Sequence, residues 1–124
     1  MAEARTLVGL IRLADGPKPL LQIACIPGEL YPELSLGGVI RYSGADFPDA
    51  PIEPPVKGTM TARFRMLFGL ANDDIGYIIP KAEWDFQAPF LRNSSKRWGG
   101  EAESLGPEAA PLIAAAFQEL LRGK

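Results

Sequence analysis

The sequence predicts a mixed α/β fold: apolar runs of strand length come in two hairpin-like pairs, and an amphipathic helix closes the chain. Three observations carry that prediction. Residues 6–13 (TLVGLIRL) and 20–26 (LLQIACI) flank the turn signal Asp15-Gly16-Pro17, the pattern of a β-hairpin. Residues 61–71 (TARFRMLFGLA) and 75–79 (IGYII) form a second pair around the polar trio Asn72-Asp73-Asp74. In GPEAAPLIAAAFQELLRGK, the side chains of Leu112, Ile113, Ala116, Phe117, Leu120 and Leu121 draw one stripe down a helix.

The remaining elements follow from turn chemistry. Tyr31 to Leu36 predicts a short helical turn that Gly37-Gly38 ends. From Arg41 to Lys57 the chain carries Pro48, Pro51, Pro54 and Pro55; proline fixes φ and removes a donor, so this stretch is expected as a long surface loop. Residues 84–98 are irregular, and Arg92, Lys96 and Arg97 read as a solvated rim. Pro107 and Glu108 suit a helix start, Pro111 marks an alternative start, and Gly123 supplies the stop.

A length of 124 residues suits one small domain, and 47% apolar residues are enough for a core. Thirteen basic against fifteen acidic side chains give a net charge of −2, which offers no long-range attraction to phosphate backbones, so nucleic acid is not expected as a partner. No apolar run approaches the roughly 20 residues of a transmembrane helix, and MAEART lacks the basic start and apolar block of a secretory signal. The chain has no histidine, the commonest general base and zinc ligand. Its one cysteine, Cys25, excludes an internal disulfide or a thiolate cage, and its apolar neighbours read as core packing. A metal held by this chain alone would need oxygen ligands. Two small strand pairs also leave open sheet edges, the mark of an incomplete part of a larger domain.

Three clusters could carry chemistry. Pro27-Gly28-Glu29 follows an apolar strand, and glycine lets a backbone approach closely, so the next carboxylate can turn back toward the strand ends; a plain turn carboxylate is the structural reading. Asn72, Asp73 and Asp74 read as an Asx-type turn, or as the lip of a site that the flanking strands hold. A calcium or magnesium site at Asp73 and Asp74 is disfavoured, because adjacent side chains in extended chain point opposite ways. In WGGEAESLGPE, residues 98–108, the glycines allow close approach and Ser104 can cap the last helix.

Together, PGEL, GLANDDIGYIIPKAEWD and GGEAESLGPEAAPLI resemble the C-terminal part of the catalytic domain of the neutral/alkaline, non-lysosomal ceramidase family, over essentially the whole chain. That resemblance implies a zinc-dependent hydrolase acting on the amide of an N-acyl sphingoid base. It puts the family's glutamate ligand on Glu29 and its tyrosine, both ligand and catalytic phenol, on Tyr77. Asn72, Asp73 and Asp74 would line the substrate entrance. The histidine ligands belong to an earlier part of the domain, so the implied partner is the N-terminal half, or a separate chain supplying it, and no activity is expected of these residues alone. The implied substrate is lipid-like or a small amide, and the implied location secreted or periplasmic. Asp74 stands where an aromatic residue is usual, PELSLGG where an arginine pair is usual, and GGEAES where a tyrosine-containing stretch is usual; the entrance is then more polar and fits a polar amide or ester. The competing reading is a self-contained α/β binding or interaction module that kept the scaffold without catalysis.

Overall fold

The structure, a computed structural model, describes residues 3–90, Ser95 and residues 100–123. The basic group Arg92, Lys96 and Arg97 lies outside them. Strand β1 (Gly9–Asp15) turns through Gly16 and Pro17 into an antiparallel partner, β2 (Lys18–Cys25), with Gly9 opposite Cys25 and Leu13 opposite Leu21. A bulge shifts the register between Leu13 and Ala14. The first expected hairpin is therefore present.

The second is not. Strand β3 (Glu29–Leu30), helix α1 (Pro32–Leu36), helix α2 (Val56–Thr59), β4 (Phe64–Phe68) and β5 (Tyr77–Ile78) follow in order, but β4 lies parallel to β2 and β5 lies parallel to β3. The three-stranded sheet has the order β1-β2-β4, and β3-β5 form a separate pair. The reason lies in the backbone around the polar trio. The amides of Leu70 and Ala71 donate to the carbonyls of Gly28 and Ile26, and the amide of Ile75 donates to Pro27. Both ends of the excursion are thus pinned to one segment, so residues 72–74 loop outward without reversing the chain.

Beyond β5 come 3-10 turns at Lys81–Glu83 and Gly100–Glu103, then helix α3 (Ala109–Leu121). Pro111 is the third helical residue, within the first turn where an amide has no intrahelical partner to lose. Gly123, at φ 76°, closes the other end with its amide donating to the Leu120 carbonyl. Arg12 of β1 donates from Nη2 to the carbonyls of Leu120 and Leu121 at 2.6 and 2.9 Å, placing a cation at the negative end of the helix.

One core joins both strand groups to the helices: Ala24, Ile26, Leu34, Val56, Met60, Ile78, Ala110, Ile113 and Phe117. The helix stripe is rotated from the expected one. Ala110, Ile113 and Phe117 are buried, whereas Leu112 is 67% exposed. The proline-rich stretch also differs from a plain surface loop. Helix α2 begins within it at Val56, and Ala45, Glu53 and Val56 are buried. Its polar groups find partners on the segment after β5: Asp46 N–H donates to the Trp84 carbonyl, and Glu53 accepts from the Lys81 amide. Among the described residues no helix is long and apolar enough to cross a membrane.

The face of the three-stranded sheet turned away from α3 has no cover among the described residues. Alternation sends Leu10, Ala24 and Leu67 to the core and Ile11, Ile23 and Met66 the other way. On that outer face Ile11, Leu13, Phe64, Met66 and Phe68 are 44–54% exposed. Cys25 belongs to the same outer row and is partly buried, so it is not the core residue the sequence suggested.

The rotated stripe gives a direct check on the helix orientation. Phe117→Ala is expected to lower unfolding free energy by about 3–5 kcal/mol. Leu112→Ala should change it by no more than about 0.5 kcal/mol, since its side chain stays largely in water. Urea denaturation followed by circular dichroism distinguishes the two.

Candidate functional site

Two glycines set the geometry of the site. A Cβ on Gly28 would lie 2.5 Å from the Gly76 carbonyl oxygen, and one on Gly76, at φ +80°, would lie 1.8 Å from the Glu103 carbonyl oxygen. With hydrogen at both positions the chains close up. The Glu29 amide then donates to Gly76 and the Tyr31 amide to Ile78, which pairs Glu29 with Tyr77 and Leu30 with Ile78 in parallel register.

Residues in register on neighbouring strands project from the same face, so Glu29 and Tyr77 stand side by side. They do not lie on opposite faces, the arrangement that would have separated them. The charge on Glu29 is the largest cause pushing the Tyr77 pKa upward, followed by side-chain hydrogen bonding to Glu29, partial burial and the charge of Glu103. The phenol therefore holds its proton on Oη at neutral pH.

Around this pair lies a ring of groups that the sequence reading did not select. Tyr31, two residues beyond Glu29, packs edge-on to Tyr77 with ring centroids 6.1 Å apart. Its pKa is pushed up to about 12, first by burial and then by the charges of Glu101, Tyr77, Glu83 and Glu33. A Cβ on Gly100 would meet the Tyr31 hydroxyl at 2.8 Å, so the second glycine of the Gly-Gly pair lets the Gly100–Glu103 turn close over the phenols. Tyr31 was readable: period two in extended chain puts residues 29 and 31 on one face. Glu101 and Glu103 lie in the 98–108 cluster that the sequence singled out, but nothing local tied that cluster to Tyr77, because it arrives from a distant turn.

The trio is an Asx-type turn. Asp73 Oδ1 accepts from the Asp74 amide and Asp74 Oδ1 from the Gly76 amide, at 2.9 and 3.0 Å, while Asn72 adopts φ 72°. All three side chains are exposed. Asp74 thus anchors the residue before Tyr77, and Asn72 lies beside Gly9 at the start of β1.

A second acidic region lies next to the first. Asp85 is buried, and its pKa is raised to about 6 by that burial, then by the charges of Asp46 and Glu101, with a backbone hydrogen bond from Asp46 opposing them. Asp46 in turn accepts from the Phe86 amide at 2.7 Å. Among the described residues no group of three histidine, cysteine, aspartate or glutamate side chains is disposed to hold a metal ion. The chain matches no family model, no curated protein and no solved structure.

Three outcomes follow from this geometry. Gly76→Ala should cost at least about 3 kcal/mol, because backbone must move as well as adopt a left-handed φ. Gly16→Ala, equally left-handed but with nothing within 4 Å, should cost about 1–2 kcal/mol; thermal denaturation compares them. In an alkaline titration followed by phenolate absorbance, Glu29→Gln should bring the Tyr77 midpoint down toward that of an ordinary phenol and leave Tyr31 near 12. For Asp85, raised from 3.8 to about 6, the folded state holds the proton more tightly than the unfolded state. Stability from this group is therefore full below about pH 4 and lost as pH rises through 6. Asp85→Asn should flatten that part of the stability profile.

Proposed function

We propose that this chain is the C-terminal portion of a zinc-dependent hydrolase of the neutral/alkaline ceramidase type, completed by a histidine-bearing N-terminal half or a separate chain supplying it. The observation that carries the reading is the in-register pairing of Glu29 with Tyr77, the two positions to which the family's glutamate and tyrosine ligands correspond.

The donor set bears on the metal in two ways. An exposed carboxylate and an adjacent phenol are two neighbouring oxygen donors, too few and too hard to retain zinc unaided. As two ligands of a shell completed by imidazoles they fit, and the acidic surroundings of Glu101 and Glu103 favour a cation there. Bound zinc supplies a water of lowered pKa and polarises an amide carbonyl.

The chain's own residues act around that chemistry. Glu29 contributes the anionic donor and holds the Tyr77 hydroxyl in one orientation. Tyr77 holds its hydroxyl beside Glu29, where it would serve as the second oxygen ligand or donate to an oxygen on which negative charge develops. Asn72, Asp73 and Asp74 form a polar lip next to the strand that carries Tyr77, which suits the polar end of an N-acyl sphingoid base or a related small amide or ester. A secreted or periplasmic location accompanies this reading.

The test is reconstitution with the histidine-bearing half. The completed domain should bind zinc stoichiometrically and hydrolyse an N-acyl sphingosine or a short-chain N-acyl amine, while the 124 residues alone should do neither. Glu29→Gln should abolish metal-dependent turnover with the circular dichroism spectrum unchanged. Tyr77→Phe should lower kcat by about 10²–10³-fold. Retention of zinc and turnover by Glu29→Gln sinks the assignment and leaves the non-catalytic α/β module as the better account.

A further inference from the structure

We infer that the outer face of the three-stranded sheet is a dimer interface, on which a second copy of this chain seats the same face. The inference does not depend on the metal reading. Strand register defines the surface: Gly9, Cys25 and Phe68 stand in one row across the strands, Ile11, Ile23 and Met66 in the next, and Leu13, Leu21 and Phe64 in the third. Residues in register share a face, so these positions form a grid without a single charged side chain. Charge begins at the rim, with Arg63 lying 5.2 Å from the centre of the Phe64 ring and with Asp15 and Lys18 at the hairpin turn. Within the grid, Ile11, Leu13, Phe64, Met66 and Phe68 are 44–54% exposed, and Leu21, Ile23 and Cys25 are partly buried. At roughly 100 Å² for each half-exposed side chain and less for the others, one copy offers on the order of 500–700 Å² of apolar surface. That reaches past the largest apolar patch of an ordinary monomer, about 300–600 Å². Two copies face to face would bury about 1,000–1,400 Å², which enters the range of stable interfaces, roughly 1,200–2,000 Å².

The profile of the face decides its occupant. Along β2 the outward side chains are partly buried between half-exposed ones on β1 and β4, so two raised rows flank a lower one. Such a surface fits its own copy. A two-fold rotation about an axis between β2 and β4 lays the Phe64, Met66 and Phe68 row of one copy along the β2 groove of the other, and the reciprocal contact follows from the symmetry. Two sheets so placed stack about 10 Å apart with interdigitated side chains, the arrangement of a β-sandwich. The other occupants meet less of this surface. A partner recognised by charge finds no counter-charge within the grid, and an anionic membrane is repelled by a chain of net charge −2. A second copy asks for neither, and its rim carries both signs. Cys25 then lies beneath the apolar row of the opposite copy, which makes the chain's one thiol a native reporter of the contact.

The experiment measures the mass of the full chain by sedimentation equilibrium from about 1 to 200 μM, since association follows mass action, and the rate at which Cys25 reacts with a thiol reagent in the same samples. A particle of twice 13.4 kDa is expected at the upper concentrations. There Cys25 should react at least about tenfold more slowly than at high dilution, because a covered thiol is not attacked. Met66→Glu and, separately, Ile11→Glu should weaken the dimer by about a hundredfold, as loss of a central apolar contact does. Leu112→Glu, exposed on α3 away from this face, should leave it unchanged. The substituted side chains all stand in solvent-exposed positions, so the variants should fold, as circular dichroism checks; the Cys25 rates on the unsubstituted chain give an independent reading. A chain that stays monomeric throughout, a dimer insensitive to both sheet substitutions, or a Cys25 rate that does not fall with concentration overturns the interface. So does association that continues past the dimer without limit, which is unspecific collapse of an apolar surface. Protection of Cys25 in a monomer by a different polypeptide likewise overturns the homodimer and assigns the face to that partner.

Discussion

The close approach of the backbone at Gly28 and Gly76 is the constraint on which the rest depends. Each glycine occupies space that a Cβ would deny to a neighbouring carbonyl, and the gap is small enough that relaxation of one side chain could not rescue a substitution. Because the chains meet there, β3 and β5 pair; because they pair in parallel register, a carboxylate and a phenol nearly fifty residues apart become neighbours. The two strands contain only two residues each and would not persist alone. They are held by the shared core beneath, through Ile26, Ile78 and Phe117, and by the turn at Gly100–Glu103 above.

That dependence explains which parts of the fold were legible. Hydrophobic period and turn chemistry located the first hairpin, the helical turn at Pro32–Leu36 and the terminal helix, since each is specified by residues close in sequence. Pairing is not local. Residues 61–71 and 75–79 looked like one hairpin because a polar trio between two apolar runs is the usual sign of chain reversal, whereas the amides on either side are captured by the carbonyls of Ile26, Pro27 and Gly28 from an earlier segment. The rotated helix stripe has a similar origin. Leu112 and Ile113 are equally apolar in sequence, and only the position of the sheet decides that Ile113 is covered.

The site shows the same division. Glu29 and Tyr77 came from a family resemblance, and their proximity emerges from the long-range pairing. Tyr31 was within reach of simple alternation. Glu101 and Glu103 become neighbours of the phenols only after the chain has returned through a distant turn, and they add charge to a site where Glu29 acts most strongly on Tyr77 and burial on Tyr31. The polar trio has a structural role that does not compete with a functional one. Asp74 satisfies the Gly76 amide and so fixes the residue that makes the close approach, while its side chain stays exposed.

The half-exposed apolar face of the three-stranded sheet has a physical meaning of its own. A domain of this size depends on burying most of its apolar surface, and a mixed sheet with an antiparallel hairpin can leave one face to solvent. Here Ile11, Leu13, Phe64, Met66 and Phe68 stand 44–54% exposed on the outer face, while the alternate positions hold the core-packing Leu10, Ala24 and Leu67 together with Arg12, Gln22 and Arg65. Selection for solubility alone would replace Ile11, Phe64 and Met66 with polar residues at little energetic cost. Their presence across β1 and β4 leaves an apolar surface of the kind that marks an interaction site.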